Sequence, residues 1–240
     1  MSLRLYRTHP ILFYGIIFGI LMLYYFHTLI CTTYSLLSLN FNWPRDAPDF
    51  LISSNADRDA FDLSFANYSR TQDSAGPLYR DLVPPVLHHI ALGGHKPQGK
   101  WIDARNACLE LHPGWEAMLW TDENAGDFVR ERFPELLNMW EQYGYLIQRI
   151  DALRYLVLYE YGGVVLDMDL KCTRSLGPLR RFSFVAPAAH PTGFSIGFMM
   201  ASKRNEFVGK LVRSLKMYNR RWLGFPYPTV MFSTGCHYAS

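Results

Sequence analysis

Two carboxylates, Asp167 and Asp169, follow the short apolar run Val164-Val165-Leu166. At strand periodicity they project from the same side, with Met168 opposite. Like charges roughly 4 Å apart repel by about 4 kcal/mol at an effective dielectric near 20. Such a pair rejects a phosphate unless a dication stands between them. Oxygen ligands suit Mg²⁺ or Mn²⁺, and an ion held there acts as a Lewis acid on a departing diphosphate. The tripeptide alone is unspecific: Asp57-Arg58-Asp59 has the same form and reads as solvated. The plain alternative for residues 167–169 is a strand-to-loop turn with exposed acids. Asp151 and Arg154, three apart on a helical segment, share a face. Either they serve the same site, the guanidinium fork suiting oxyanions, or they form a simple helix-face ion pair.

The elements that carry these residues alternate between β and α. Val83 to Gly94 is a short apolar run ended by glycines, suited to a buried first strand. Trp101, Ala104, Cys108 and Leu111 recur near helical spacing until His112-Pro113-Gly114 stops them. Trp115 to Trp120 reads as a second strand, with Thr121-Asp122-Glu123 as the capped start of a helix. Phe128 to Tyr143 continues helical, broken at Pro134. Ile147, Ile150, Leu153, Val157 and Tyr161 predict a helix with one core stripe, ended by Gly162-Gly163. It feeds directly into the strand bearing the two acids. This alternation predicts an α/β fold with a mostly parallel sheet and sites at strand C-terminal ends.

The first forty residues point to a membrane. Twelve of the twenty residues from Ile11 to Ile30 are Ile, Leu or Phe, and no charged residue occurs between Arg7 and Arg45. Twenty helical residues span about 30 Å, the hydrocarbon thickness. Arg4 and Arg7 precede the run, so the positive-inside rule places residues 1–10 in the cytosol and the remainder in the lumen. The run is too long for a signal-peptide core and lacks an Ala-x-Ala site, so residues 11–32 read as a retained signal anchor. Residues 33–82 read as a lumenal stem, with Pro44, Pro48 and Pro77, seven Asp between Phe41 and Leu82, and an N-glycosylation sequon at Asn67. Residues 83–240 remain as the folded lumenal domain. Three cysteines, Cys108, Cys172 and Cys236, fall on the lumenal side, and the sequence does not say which pair.

Composition excludes several classes. The chain of 240 residues is 49% hydrophobic and 15% aromatic, too apolar for a disordered protein. Its 24 basic against 21 acidic residues leave no electrostatic footprint for nucleic acid. No Walker loop, Gly-x-Ser-x-Gly elbow or Cys-x-x-Cys occurs, and His88-His89 lacks the spacing of a helical zinc site.

Asp151, Arg154, Tyr155, Leu158, Tyr159, Gly162, Gly163, Asp167 and Asp169 stand in a composite pattern: Asp-x-x-Arg-Tyr, Leu-Tyr-x-x-Gly-Gly, then Asp-x-Asp. Here the chain resembles glycosyltransferase family 32, the group with the sugar-binding DXD region. Val83 to Ile90, Leu119 to Glu123 and Phe232 to Gly235 resemble further family segments, so the likeness covers roughly residues 83–240. It implies a GT-A fold, a Rossmann-like domain for nucleotide-diphospho-sugars, behind the N-terminal transmembrane helix. It also implies metal-dependent hexosyl transfer with retention, using Mn²⁺ or Mg²⁺. Within the family the likeness is greatest to the fungal Golgi group that moves mannose from GDP-mannose to inositol phosphorylceramide. The initiating α-1,6-mannosyltransferases acting on glycans come next. A non-catalytic, membrane-anchored homologue that binds an active synthase is the reading of another class, and a regulatory membrane subunit is an implied partner.

Roles follow by resemblance. Asp167 would hold metal and contact the donor, and Asp169 would be a metal ligand. Asp151 would accept from donor sugar hydroxyls, and Arg154 would face the diphosphate or sugar. His89 and Gly93 would touch the donor; Gly93-Gly94 either admits the donor to the backbone or simply forms a turn. Trp120 either stacks on the base or is a core aromatic. The chain departs from its relatives at Ile196, where Asn is common and a polar contact is lost, and at Cys236, where Pro is expected. Relatives continue beyond Ser240, so the catalytic domain reads as incomplete at that end.

Overall fold

The computed structural model describes residues 9–94, 97–222 and 224–240. The tail bearing Arg4 and Arg7 lies outside the described residues. Helix α1 runs unbroken over His9–Phe50. Its segment Pro10–His27 is long and apolar enough to cross a membrane, and none of it is buried against the protein. The expected stem does not start at residue 33. The helix continues through Pro44 and Pro48, because Trp43 packs on the main core and tertiary contact outweighs the missing N–H groups. Residues 51–82 have no period yet are not a free stalk. Phe61 is 1% exposed, stacks on Tyr68 at 5.3 Å and meets Phe65 edge-on at 5.1 Å, closing one side of the domain.

Five strands form one sheet: β1 (Val86–Ala91), β2 (Glu116–Thr121), β3 (Gly163–Leu166), β4 (Phe184–Val185) and β5 (Phe198–Ala201), in the order β2-β1-β3-β5-β4. β1 lies parallel to both β2 and β3, whereas β3–β5 and β5–β4 are antiparallel. The sheet is therefore mixed rather than mostly parallel. The parallel half still has its three strand C-terminal ends on one side of the sheet. Every residue of β1 is buried, as a strand paired on both edges and covered on both faces requires.

One face carries the larger core, built with α3 (Ala125–Arg132), α4 (Pro134–Glu141), α5 (Leu146–Tyr161) and α6 (Glu206–Tyr218). α7 (Pro226–Ser233) and α8 (Cys236–Ala239) close its end. The other face carries Phe61, Val83, Leu87, Leu179 and α2 (Lys100–Leu111). The expected helix start at Thr121 moves to Ala125, because Thr121 completes β2 and Asp122 is drawn elsewhere. The single stripe expected on α5 is also too narrow: Ile147 is 42% exposed, whereas Asp151 to Leu158 is buried all round. α5 is a central helix wedged between sheet, α6 and α7. A disulfide joins Cys108 on α2 to Cys172, closing a loop with a sequence separation of 64.

The turn from α5 into β3 needs both glycines. Gly162 and Gly163 have φ of 69° and 97°, and a Cβ would stand 2.6 Å from the Lys203 nitrogen and 2.6 Å from the Val86 oxygen respectively. The backbone so placed is read by His88. Its Nε2 lies 2.9 Å from the Gly162 oxygen, and Trp120 Nε1 donates to its Nδ1 at 3.2 Å. A carbonyl only accepts and an indole N–H only donates, so His88 is neutral with its proton on Nε2. Burial lowers its pKa to about 4.

Between the ordinary histidine value and about 4, the unfolded chain binds the proton that folded His88 refuses. The stability this group contributes is complete above pH 6.5 and lost as pH falls to about 4. Comparing acid unfolding curves of the protein with those of His88→Leu isolates the effect. The variant is expected to be less stable at pH 7 but to lose roughly 3 kcal/mol less between pH 6.5 and 4.

Candidate active site

Strand β3 ends at Leu166, so the two acids sit in the turn beyond it rather than together on one side of the strand. Asp167 N–H donates to the Gly197 carbonyl at 2.8 Å, and Leu170 N–H closes the turn onto the Asp167 carbonyl at 3.0 Å. Met168 is buried, Asp167 half-buried and Asp169 exposed. The outward acid takes no hydrogen bond or ion pair from the described residues. The inward acid meets α5. Arg154, 6% exposed, donates from Nη1 to Asp151 and from Nη2 to Asp167. One guanidinium thus ties the middle of α5 to the tip of the central strand.

The other Asp151 oxygen accepts from Thr234 Oγ1 at 3.1 Å. Thr234 is held in turn by Tyr155, whose hydroxyl donates to its carbonyl at 2.5 Å. Its neighbour Ser233 accepts from Gln148 Nε2 at 2.7 Å. Gly197 packs against the inward acid so tightly that a Cβ would stand 2.7 Å from Asp167 Oδ2. Sequence reasoning missed Gly197 and gave Thr234 no role. Thr234 lies within the Phe232–Gly235 segment noted for its family likeness, but nothing in the spacing revealed that its hydroxyl faces Asp151. Gly197 stands beside Ile196, which fills the core at 5% exposure in place of a polar contact.

Burial governs the charges. It pushes the Asp151 carboxyl up to about 6, with Arg154 and the Thr234 hydroxyl opposing. Burial also raises Asp167, again against Arg154. Burial works against the Arg154 charge, yet the two carboxylates outweigh it and hold the guanidinium protonated. Three carboxylates and one guanidinium leave a formal charge of −2 across Asp151, Arg154, Asp167 and Asp169, which one divalent cation balances.

Other expected donor contacts lie elsewhere. Trp120 is 4% exposed and packs among Phe128, Tyr161 and His88; its ring belongs to the core and has no face free for a base. Gly93 and Gly94 direct their N–H groups onto Asp122 Oδ2, at 2.8 and 2.7 Å, so they form the turn rather than offering the backbone to a ligand. His89 is fully buried on the opposite face of β1 from His88. Neither of its ring nitrogens has a hydrogen-bond partner, and burial lowers its pKa to about 4.

Among the described residues no three His, Cys, Asp or Glu side chains gather into a metal cage. Two carboxylates, one half-buried and one exposed, are nevertheless a fitting donor set for a hard cation that takes its remaining ligands from water and phosphate. The family described as a glycosyltransferase sugar-binding region containing the DXD motif matches residues 98–185, from α2 through β4. Residues 98–185 are similar to that region. The matched stretch contains the whole charged set, since Asp151, Arg154, Asp167 and Asp169 all lie within it.

Relatives extend the likeness. A mannosyl phosphorylinositol ceramide synthase of Saccharomyces cerevisiae is 40% identical over 154 residues, covering 64% of this chain and 40% of its own. Inositol phosphoceramide mannosyltransferase 3 of Schizosaccharomyces pombe is 37% identical over 153 residues, 64% of this chain and 42% of its own. Inositol phosphoceramide mannosyltransferase 1 of the same yeast is 32% identical over 190 residues, 78% of this chain and 58% of its own. The chain thus spans between 40% and 58% of the length of these three relatives. Among solved structures, the PaToxG glycosyltransferase shares the fold, with a TM-score of 0.53 over 70% of this chain and 72% of its own at 19% identity.

The contact between Gly197 and Asp167 is directly testable. Gly197→Ala is expected to push the inward carboxylate off Arg154, lowering stability by about 1–3 kcal/mol. Thermal unfolding measures this. An unchanged midpoint would mean that the loop yields without disturbing the acid.

Proposed function

We propose that this chain is a membrane-anchored hexosyltransferase that moves mannose from GDP-mannose to inositol phosphorylceramide with retention of anomeric configuration. The observation that carries the reading is the division of labour between the two acids. Asp167 is fixed from behind by Arg154, while Asp169 is exposed beyond the C-terminal end of the central strand and takes no hydrogen bond or ion pair from the described residues. A purely structural ion-pair network gives no reason for the outward acid. The named activities of the yeast relatives supply the sugar and the acceptor class.

Asp167 and Asp169 would hold Mn²⁺ or Mg²⁺. The ion, when bound, supplies Lewis-acid neutralisation of the diphosphate. Asp151, oriented by Thr234 and Arg154, accepts hydrogen bonds from the donor's sugar hydroxyls. Arg154 holds the carboxylates in place and adds positive charge beneath the leaving group. In the transfer, the acceptor hydroxyl oxygen bonds to the anomeric carbon and the bond from that carbon to the diphosphate breaks. The nucleoside diphosphate leaves with the electron pair and takes the hydroxyl proton.

We place residues 1–10 in the cytosol, the span 11–32 in the Golgi membrane and the rest, residues 33–82 and the catalytic domain 83–240, in the lumen. The disulfide between Cys108 and Cys172 suits that oxidising side. The test uses the full chain in liposomes containing inositol phosphorylceramide, with GDP-mannose and Mn²⁺. Chelation is expected to abolish transfer. Asp169→Asn is expected to lower kcat by about a hundredfold or more while leaving the unfolding midpoint nearly unchanged, because Asp169 makes no hydrogen bond or ion pair with the described residues. Full activity in the variant would overturn the assignment. Absence of turnover in the parent, with binding to an active synthase, would favour the non-catalytic homologue.

A further inference from the structure

Charge is unevenly shared along the chain. Residues 206–228 hold five basic residues, Lys210, Arg213, Lys216, Arg220 and Arg221, against one acid, Glu206. Their formal charge is +4 in a chain whose total is +3, so all other residues together sum to −1. Lys210 is engaged by Glu206 at 3.2 Å. The other four cations make no ion pair among the described residues, and Arg213, Lys216 and Arg221 are exposed. Apolar side chains stand out among them: Met217 is exposed, Phe225 is 61% exposed and Tyr227 72%. Hydrogen bonds hold them there. Trp222 meets Phe232 edge-on at 5.0 Å, and its N–H donates to Thr229 Oγ1 at 2.9 Å. Phe225 N–H donates to the Trp222 carbonyl at 2.8 Å, and Phe225 caps α7 ahead of Pro226.

Rings and thioethers among unpaired cations match the layers of a bilayer surface. Aromatic side chains settle at headgroup level, and Lys and Arg are drawn to anionic headgroups. Position supplies the bilayer. Ser35 on α1 lies just past the span that ends at residue 32, about 4.5 Å along the helix, within a headgroup layer of roughly 5–8 Å. Ser35, Phe232 and Tyr218, the last residue of α6, line one cavity. The patch therefore begins beside α1 where that helix leaves the membrane. It also borders the charged site. Arg220 and Arg221 line a smaller cavity with Tyr145 and Gln148. Gln148 donates to Ser233, whose neighbour Thr234 holds Asp151.

We infer that the surface from Lys216 to Tyr227 is a second membrane contact, docking on anionic lipid headgroups of the leaflet from which α1 emerges. The inference goes beyond the transferase reading and rests only on α1 as the anchor. One helix sets the distance of the domain from the bilayer but leaves its rotation open. A second contact fixes that rotation and turns the side bearing Tyr145 and Gln148 toward the lipid. An acidic protein could also meet the cations, but it would have to enter the headgroup layer that the patch already adjoins.

The test is hydrogen–deuterium exchange of the full chain in nanodiscs, comparing phosphatidylcholine alone with phosphatidylcholine carrying about one third phosphatidylglycerol. Exchange from Met217 to Tyr227 is expected to slow by about fivefold or more in the anionic discs and to recover at high salt. Lys216→Glu with Arg221→Glu, both at exposed positions, is expected to abolish the slowing. Phe225→Ser with Tyr227→Ser is expected to weaken it at an unchanged unfolding midpoint, which guards against a folding defect. Equal exchange in both discs, or slowing that survives the charge reversal, would overturn the inference. So would slowing found in native membranes but not in the purified anionic discs, which would point to an acidic protein partner. Protection of Pro10–His27 in both discs reports the anchor separately, and donor turnover reports the transferase, so each reading can fail alone.

Discussion

A buried guanidinium between two carboxylates is the interaction on which the site depends. Arg154 lies inside the fold, where an unpaired charge is costly and removal of one partner leaves the others uncompensated. It is placed where it can satisfy both Asp151 on its own helix and Asp167 in the turn after β3. That arrangement makes the inward acid rigid and leaves the outward acid as the variable part. It also fixes the register between α5 and β3, since a slip of either element would separate the charges.

The surrounding structure can be understood as whatever keeps that contact in place. Gly162 and Gly163 let the chain reverse closely enough for β3 to run back beside α5. His88 pins the reversal by its carbonyl and is itself pinned by Trp120. Thr234 supplies the second partner of Asp151 from the far end of the chain, and Gly197 lets β5 approach the inward acid. Residues far apart in sequence thus converge on two carboxylates, as expected for polar groups that must be satisfied inside a low-dielectric core.

Much of this was legible in the sequence where local chemistry decides the outcome. The Asp-x-x-Arg spacing on a helix, the double glycine and the apolar tripeptide before Asp167 each have a local cause, and each appears as expected. What was not legible depends on tertiary contact. Pro44 and Pro48 read as an end to helix, yet Trp43 has a core to pack on. Trp120 sits at a strand end where either role was open, and only the ring of aromatics around it decides. Gly93 and Gly94 looked available until Asp122, from another strand end, took their N–H groups. The antiparallel half of the sheet escaped notice because β4 and β5 are only two and four residues long, too short to show a period. The pairing of Cys108 with Cys172 required knowing that α2 crosses the chain just past the acids.

That pairing has a topological consequence. Asp151, Arg154, Asp167 and Asp169 all lie between the two bridged cysteines, so the charged set is carried within one covalent ring of the polypeptide. A single proteolytic cut inside the ring linearises it without releasing a fragment, and cuts outside it leave the four side chains on one connected piece. Thr234 and Gly197 stand outside the ring and are joined to its acids only through noncovalent packing and the linear chain.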